Sequence, residues 1–127
     1  MQSSTVLIVD DVAAIVEELI TLMRLNGIAA AGAADLKGAL AALEREPTIR
    51  VISCDVRLDR ESGLDILDRI MGHPVLCKRE FQYLFVTGDQ MQIDRLNPDP
   101  RVAVLSKPVQ PSILIGTLKS MLGVPDA

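Results

Sequence analysis

Thr5-Val6-Leu7-Ile8-Val9-Asp10-Asp11, written TVLIVDD, decides how the rest of the chain is read. Five apolar or β-branched residues are too few for a helix, and the run stops abruptly at two carboxylates, which is the pattern of a strand buried on both faces. The same pattern returns at Val51–Cys54 before Asp55, at Tyr83–Val86 before Thr87, and at Val102–Leu105 before Ser106-Lys107-Pro108. Between these runs the spacing changes to three and four. Val12, Ile15, Val16, Leu19 and Met23 outline a first helix that stops at Asn26-Gly27. A second runs from an Asp35 cap through Leu36, Leu40 and Leu43 to Pro47. A third begins at Ser62-Gly63, carries Leu64, Leu67, Ile70 and Met71, and ends near Gly72 and Pro74. Gln90–Leu96 reads as a short helix stopped by Asn97-Pro98, and Pro111 sets up a last helix with Leu114, Leu118, Met121 and Leu122 on one face.

Strict alternation of strand and helix needs one more strand, which is placed at the alanine-rich edge segment Ile28–Ala31. The expected architecture is therefore (βα)₅. Connections this short join parallel strands by right-handed crossovers, giving a doubly wound parallel sheet of the α/β class with helices on both faces. There is no repeat, low-complexity tract or linker, so residues 1–127 are expected to form a single domain with an ordered core over about 4–122 and a tail at Gly123–Ala127.

Composition narrows the functions open to such a domain. Of 127 residues 49% are hydrophobic, enough for a sizeable core. The 13 basic and 17 acidic residues leave a formal charge of −4, and the basic ones form no stripe that tracks a phosphate backbone, which argues against nucleic-acid binding by this domain. No segment reaches the ~18 uninterrupted apolar residues of a membrane span, and the first residues lack a basic region followed by a long apolar one, so a cytoplasmic location and no membrane partner are expected. Cys54 and Cys77 lack disulfide-framework or zinc spacing and are read as reduced, with Cys54 in the core.

In doubly wound sheets the ligand site lies beyond the carboxyl ends of the strands. Asp10, Asp11, Asp55, Thr87 and Lys107 would all reach that rim. Three carboxylates at ~5 Å repel by roughly 3 kcal/mol per pair at an effective dielectric of ~20, and one Lys cannot neutralise them all. A hard divalent cation can. An all-oxygen site suits Mg²⁺ (or Mn²⁺), since zinc would want His or Cys. A metal beside a carboxylate, an ammonium and a hydroxyl supplies what phosphoryl transfer requires: a nucleophile, positive charge for the equatorial oxygens and a hydrogen-bond donor.

The segments LIVDD, ISCDVRL with SGLDIL, LFVTGD and VLSKPV resemble, in order and spacing, the signature of two-component response-regulator receiver domains, including the chemotaxis regulators. The resemblance spans essentially the whole chain. It implies a flavodoxin-like sheet of order 2-1-3-4-5, with Asp55 as phosphoacceptor and Asp10 and Asp11 holding Mg²⁺, Asp11 the more directly. It further implies a metal ligand in the backbone carbonyl of Arg57, phosphoryl contacts from Thr87 and Lys107, and a cis peptide bond before Pro108. The partners implied are a histidine kinase or histidine phosphotransfer protein as donor and a downstream protein or fused effector as output, with a homodimer as a further option. Such a domain is a phosphoacceptor rather than an enzyme, expected to label itself from small phosphodonors and to lose phosphate slowly.

Several residues depart from the family pattern. Val104 stands where most receivers carry Tyr or Phe, Asp59 where Pro is usual, and Val109 where Phe is frequent. These touch output rather than phosphorylation. Arg57 and Asp89 flank the site with opposite charges, and with Gly88 they are expected to modulate phosphate lifetime. Gly63 is read as a backbone requirement and His73, before Pro74, as a plain surface residue. A haloacid-dehalogenase-like phosphatase also uses Asp, Lys and Mg²⁺, but it needs an Asp-x-Asp motif after the first strand. A degenerate receiver acting only in dimerisation is disfavoured because all five site residues are present, and a receiver belonging to a larger hybrid kinase or regulator stays open.

Overall fold

Each apolar run is a strand because its alternate side chains serve two different cores. A computed structural model describes residues 4–88 and 101–123. In it, β1 (Val6–Val9) sends Leu7 and Val9 into one core and Val6 and Ile8 into the other. β3 (Val51–Asp55) divides Ile52 and Cys54 from Val51 in the same way, and β4 (Gln82–Thr87) divides Tyr83 and Phe85 from Leu84. With β2 (Ala30–Ala33) and β5 (Val102–Ser106) they form one five-stranded parallel sheet of order β2-β1-β3-β4-β5.

The first core lies under α2 (Leu36–Arg45) and α3 (Ile66–Met71), through Leu36, Ala39, Leu43, Ile66 and Ile70. Its aromatic spine is Phe81, Tyr83 and Phe85, with Tyr83 and Phe85 stacked at 6.2 Å between centroids. Arg79 closes the far end of α2. Its guanidinium donates to the carbonyls of Leu43 and Glu46, which a finished helix leaves without partners, and to that of Ile49 in the loop beyond, and lies 4.7 Å over the Phe81 ring. The second core lies under α1 (Ala13–Leu25) and α4 (Pro111–Leu122), through Met23, Ile28, Leu114, Leu118 and Leu122. Pro111 opens α4, and Gly123, at φ 75°, ends it in the left-handed conformation.

Four expectations need correction. The edge strand begins at Ala30 rather than Ile28, because the amides of Asn26, Gly27 and Ile28 turn back onto the carbonyls of Met23 and Arg24 to finish α1, and Ile28 is buried as a plug beneath it. The first turn of α1 is not packed down: Val12 and Ile15 are 46% and 40% exposed, although their spacing places them on the apolar face. The third helix opens with a 3₁₀ turn at Gly63–Asp65, where Ser62 Oγ accepts from the Leu64 amide, and its Met71 is exposed. Finally, His73 is half-buried and structural. Its Nδ1 accepts from the amides of Val75 and Leu76, each at 3.0 Å, which caps a further 3₁₀ turn at Leu76–Lys78, while Nε2 lies 2.8 Å from Glu44 on α2. The expected helix at Gln90–Leu96 and most of the expected tail lie outside the described residues. No helix among the described residues is long and apolar enough to cross a membrane.

Candidate functional site

Strand register brings the acidic residues together. Val9 pairs with Cys54, so the next residues along, Asp10 and Asp55, sit side by side at the carboxyl edge. Thr87 pairs with Ser106, and the Lys107 amide donates to the Thr87 carbonyl at 2.9 Å, which holds the start of the Lys107 loop against β4. Side chains alternate with a period of two, so Asp10 follows Ile8 and Asp55 follows Ser53 onto the α1/α4 side of the sheet. Lys107 follows Leu105 the same way.

The Lys107 ammonium donates to Asp55 Oδ2 at 2.7 Å, and the Arg57 amide donates to Oδ1 at 3.1 Å. Asp10 Oδ1 accepts from the Val12 amide at 2.9 Å, so one carboxylate both faces the site and starts α1. Carboxylate oxygens of Asp10, Asp11 and Asp55 lie within 4.8 Å of one another. Asp10 and Asp55 are each 8% exposed, whereas Asp11 is exposed. A pocket of about 370 Å³ has Asp10, Asp11, Asp55, Arg57, Asp59 and Lys107 in its lining. Burial pushes the Asp10 carboxyl above its ordinary range, and the charges of Asp55 and Asp11 add to this against the Val12 amide and Lys107. Three carboxylates with one ammonium among them, all donors oxygen, fit a hard divalent cation by charge and by ligand type.

The loop after Asp55 is tightly tied. The Val56 amide donates to Val86, the Gly63 amide to Val56 at 2.7 Å, and the Leu58 amide to Glu61, while Arg57 bridges Ser62. A Cβ on Gly63 would lie 2.1 Å from the Asp55 carbonyl oxygen and 2.8 Å from Cys54 Sγ, so the close approach of this loop to β3 requires glycine. Beneath it, burial pushes the Cys54 thiol up to about 12, with the charges of Asp55, Asp10 and Glu61 adding to the effect. Glu61 Oε1 accepts from the Leu36 amide at 2.9 Å, so the loop also caps α2, beside Asp35, which accepts from the Gly38 amide. Nothing local in sequence signals the Glu61 cap, because its partner is 25 positions away.

Not every expected residue enters the pocket. Thr87 is buried at the adjacent strand end but shares the face of Tyr83 and Phe85, and it is not among the residues lining the pocket. Val104 is half-buried on that same face, packed against the aromatic core. Gly88 is exposed with open space around it, and the Lys107–Pro108 peptide is cis. Asp89 lies outside the described residues.

A family model described as response regulator receiver domain matches residues 6–119, and the chain belongs to that family. The receiver domain of the Erythrobacter litoralis response regulator PhyR is similar to it, with 27% identity, 100% of this chain and 98% of that one covered, and a TM-score of 0.75. Chemotaxis response regulator CheY4 of Vibrio cholerae shares the fold at 24% identity, over 94% of this chain and 99% of its own, with a TM-score of 0.76. The anti-anti-sigma factor PhyR of Bartonella quintana aligns at 20% identity and a TM-score of 0.73, over 97% of this chain but 49% of its own length. No curated protein sequence matches the chain at a significant level.

Proposed function

We propose that the chain works as a phosphorylation switch in which Asp55 accepts a phosphoryl group from a phosphohistidine of a histidine kinase or histidine phosphotransfer protein. The observation that carries this reading is the Lys107 to Asp55 contact at 2.7 Å inside a cluster of three carboxylates spanning 4.8 Å. A carboxylate oxygen of Asp55 attacks phosphorus in line as the phosphorus–nitrogen bond of the donor breaks, and the departing imidazole ends up protonated. Asp10, Asp11, Asp55 and the Arg57 carbonyl would hold Mg²⁺ (or Mn²⁺), which when bound supplies the charge neutralisation that lets two anions meet. The Lys107 ammonium then follows the new charge from the Asp55 carboxylate to a phosphoryl oxygen. Thr87 turns its hydroxyl across the strand end to donate to another.

The added charge of about −1.5 to −2 shifts a two-state equilibrium, and output is by protein binding, through a separate partner, a fused effector or a second copy. Val104 has no ring to swing, so the switch runs without an aromatic lever. Arg57 lines the opening, and Arg57, Gly88 and Asp89, which follow the acceptor and Thr87 closely in sequence, tune phosphate lifetime, while Pro108 shapes the loop carrying Lys107. The Bartonella neighbour, in which the aligned part is half of the chain, favours a reading in which such a module also works inside larger regulators.

Intact-mass analysis after incubation with acetyl phosphate tests the reading. One phosphoryl adduct should appear with Mg²⁺, and none in EDTA or in Asp55→Asn. Equal labelling of that variant would move the nucleophile elsewhere.

A further inference from the structure

The α1/α4 side of the sheet is left partly open. Ile15 is 40% exposed and Leu19 and Leu22 are half-buried, although all three point between α1 and α4. Between the two helices runs a cleft of about 540 Å³, within the roughly 300–1,000 Å³ of small-molecule pockets. Ile8 and Ser53 form its floor, Ile15, Leu19 and Leu22 one wall, and Val109 and Leu114 the other. Ile15 and Leu22 are about two turns apart, so the apolar wall is roughly 10 Å long. The upper end opens at Asp10, Asp55 and Lys107.

One polar group interrupts this lining. Ser53 is 5% exposed, on the strand face turned toward the cleft, and its hydroxyl opens onto the cleft without a protein hydrogen-bond partner among the described residues. The surrounding floor and walls are aliphatic, so this hydroxyl is the polar contact offered to a ligand that reaches the floor. The mouth also selects by charge: the carboxylates of Asp10 and Asp55 stand at it, with Asp11 close beside them, and its one ammonium is already held by Asp55, so an anion is repelled.

We infer that this cleft binds a small, neutral, amphipathic molecule, with its apolar body between α1 and α4 and one hydrogen-bonding group on Ser53. The site is separate in chemistry from phosphoryl transfer, and its test needs neither metal nor phosphodonor, so it stands or falls independently of the function proposed above.

The protein contains no tryptophan, so the fluorescence of N-phenyl-1-naphthylamine, a neutral apolar probe with one N–H, can be followed directly on the full chain in EDTA. Saturable, single-site enhancement is expected, with affinity reduced several-fold in Ser53→Ala and at least tenfold in Leu19→Trp, whose indole fills the cleft. Leu25→Gln, at a position 80% exposed at the last residue of α1 and outside the cleft lining, should bind as the parent does. The anionic analogue 1-anilinonaphthalene-8-sulfonate should bind at least tenfold more weakly. Independently of any variant folding, methyl resonances of Ile8, Ile15, Leu22 and Leu114 should shift with the same saturation curve. Enhancement that does not saturate, affinity unchanged in a folded Leu19→Trp, or methyl resonances that stay still at saturation would overturn the site.

Discussion

Replacing Asp10 by Asn removes one charge from the acidic cluster while leaving its shape. The carboxylate oxygens involved lie within 4.8 Å, where each like-charge pair repels by roughly 3.5 kcal/mol at an effective dielectric of ~20 before screening. Only the Asp55 partner is buried, so the Asp11 contribution is largely screened, and loss of the attraction to Lys107 offsets part of the gain. A net stabilisation of about 1–2 kcal/mol remains, and the amide oxygen still accepts from the Val12 amide to start α1. Without metal the variant should therefore melt roughly 3–8 °C higher than the parent. With Mg²⁺ the order should reverse, since the parent gains about 2.7 kcal/mol at a hundred times its dissociation constant and the variant gains little. The pH dependence has a definite sign. The folded state holds the Asp10 proton more tightly than the unfolded chain, so the penalty is absent below the ordinary value of 3.8 and grows as pH rises through the raised one. The advantage of Asn should accordingly be full at neutral pH and shrink toward pH 4. Thermal melts with and without Mg²⁺ over that range test all three statements. A variant that melts lower than the parent at neutral pH without metal, or gains as much from Mg²⁺, would refute the electrostatic reasoning.

Gly63→Ala should destabilise the fold by about 2–4 kcal/mol in urea titrations, since its Cβ meets backbone at 2.1 Å and backbone cannot step aside; a loss under ~0.5 kcal/mol would mean the loop relaxes freely. Thiol titration should find one reactive cysteine in the native protein, the exposed Cys77, and a second only after denaturation, because Cys54 is buried with its thiol pushed up to about 12. Two fast thiols in the native state would contradict the core placement. Glu61→Ala should cost about 1 kcal/mol and speed amide exchange at Leu36 more than at Gly38, which keeps its Asp35 cap; equal exchange at both amides would deny Glu61 its role.

Most of the fold could be read because a parallel sheet buries its strands on both faces, so that runs such as Val6–Val9 and Val51–Cys54 announce themselves without any partner being known. β2 could not be placed to the residue for the opposite reason. Ala30–Ala33 is an edge strand of small side chains, and its start is set by how α1 ends rather than by its own hydrophobicity. α1 shows the complementary failure. Periodicity identifies the apolar face of a helix but not how much of it is covered, and Val12 and Ile15 stay 46% and 40% exposed at its start. His73 and Glu61 were illegible because their partners belong to turns and helix ends that only the tertiary fold brings near them.

The site was legible as a set of strand ends, and the structure adds which way each residue faces. Position along the chain says that Asp10, Asp55, Thr87 and Lys107 reach the same edge, and they do. Facing depends on parity within each strand and on register between strands, and both follow from hydrogen-bonded pairing. Asp55 pairs with Val86, so Thr87, one residue later, falls on the opposite face, with Phe85 and its register partner Val104. The acidic cluster with Lys107 thus belongs to the α1/α4 side, while Thr87 and Val104 belong to the aromatic side under α2 and α3. Thr87 at the end of β4 and Asp55 at the end of β3 therefore approach the same edge from opposite faces of the sheet. Beneath that edge lie the stacked, buried rings of Phe85 and Tyr83 and, packed against them, the half-buried Val104, so the face that carries Thr87 is continuous with the aromatic core.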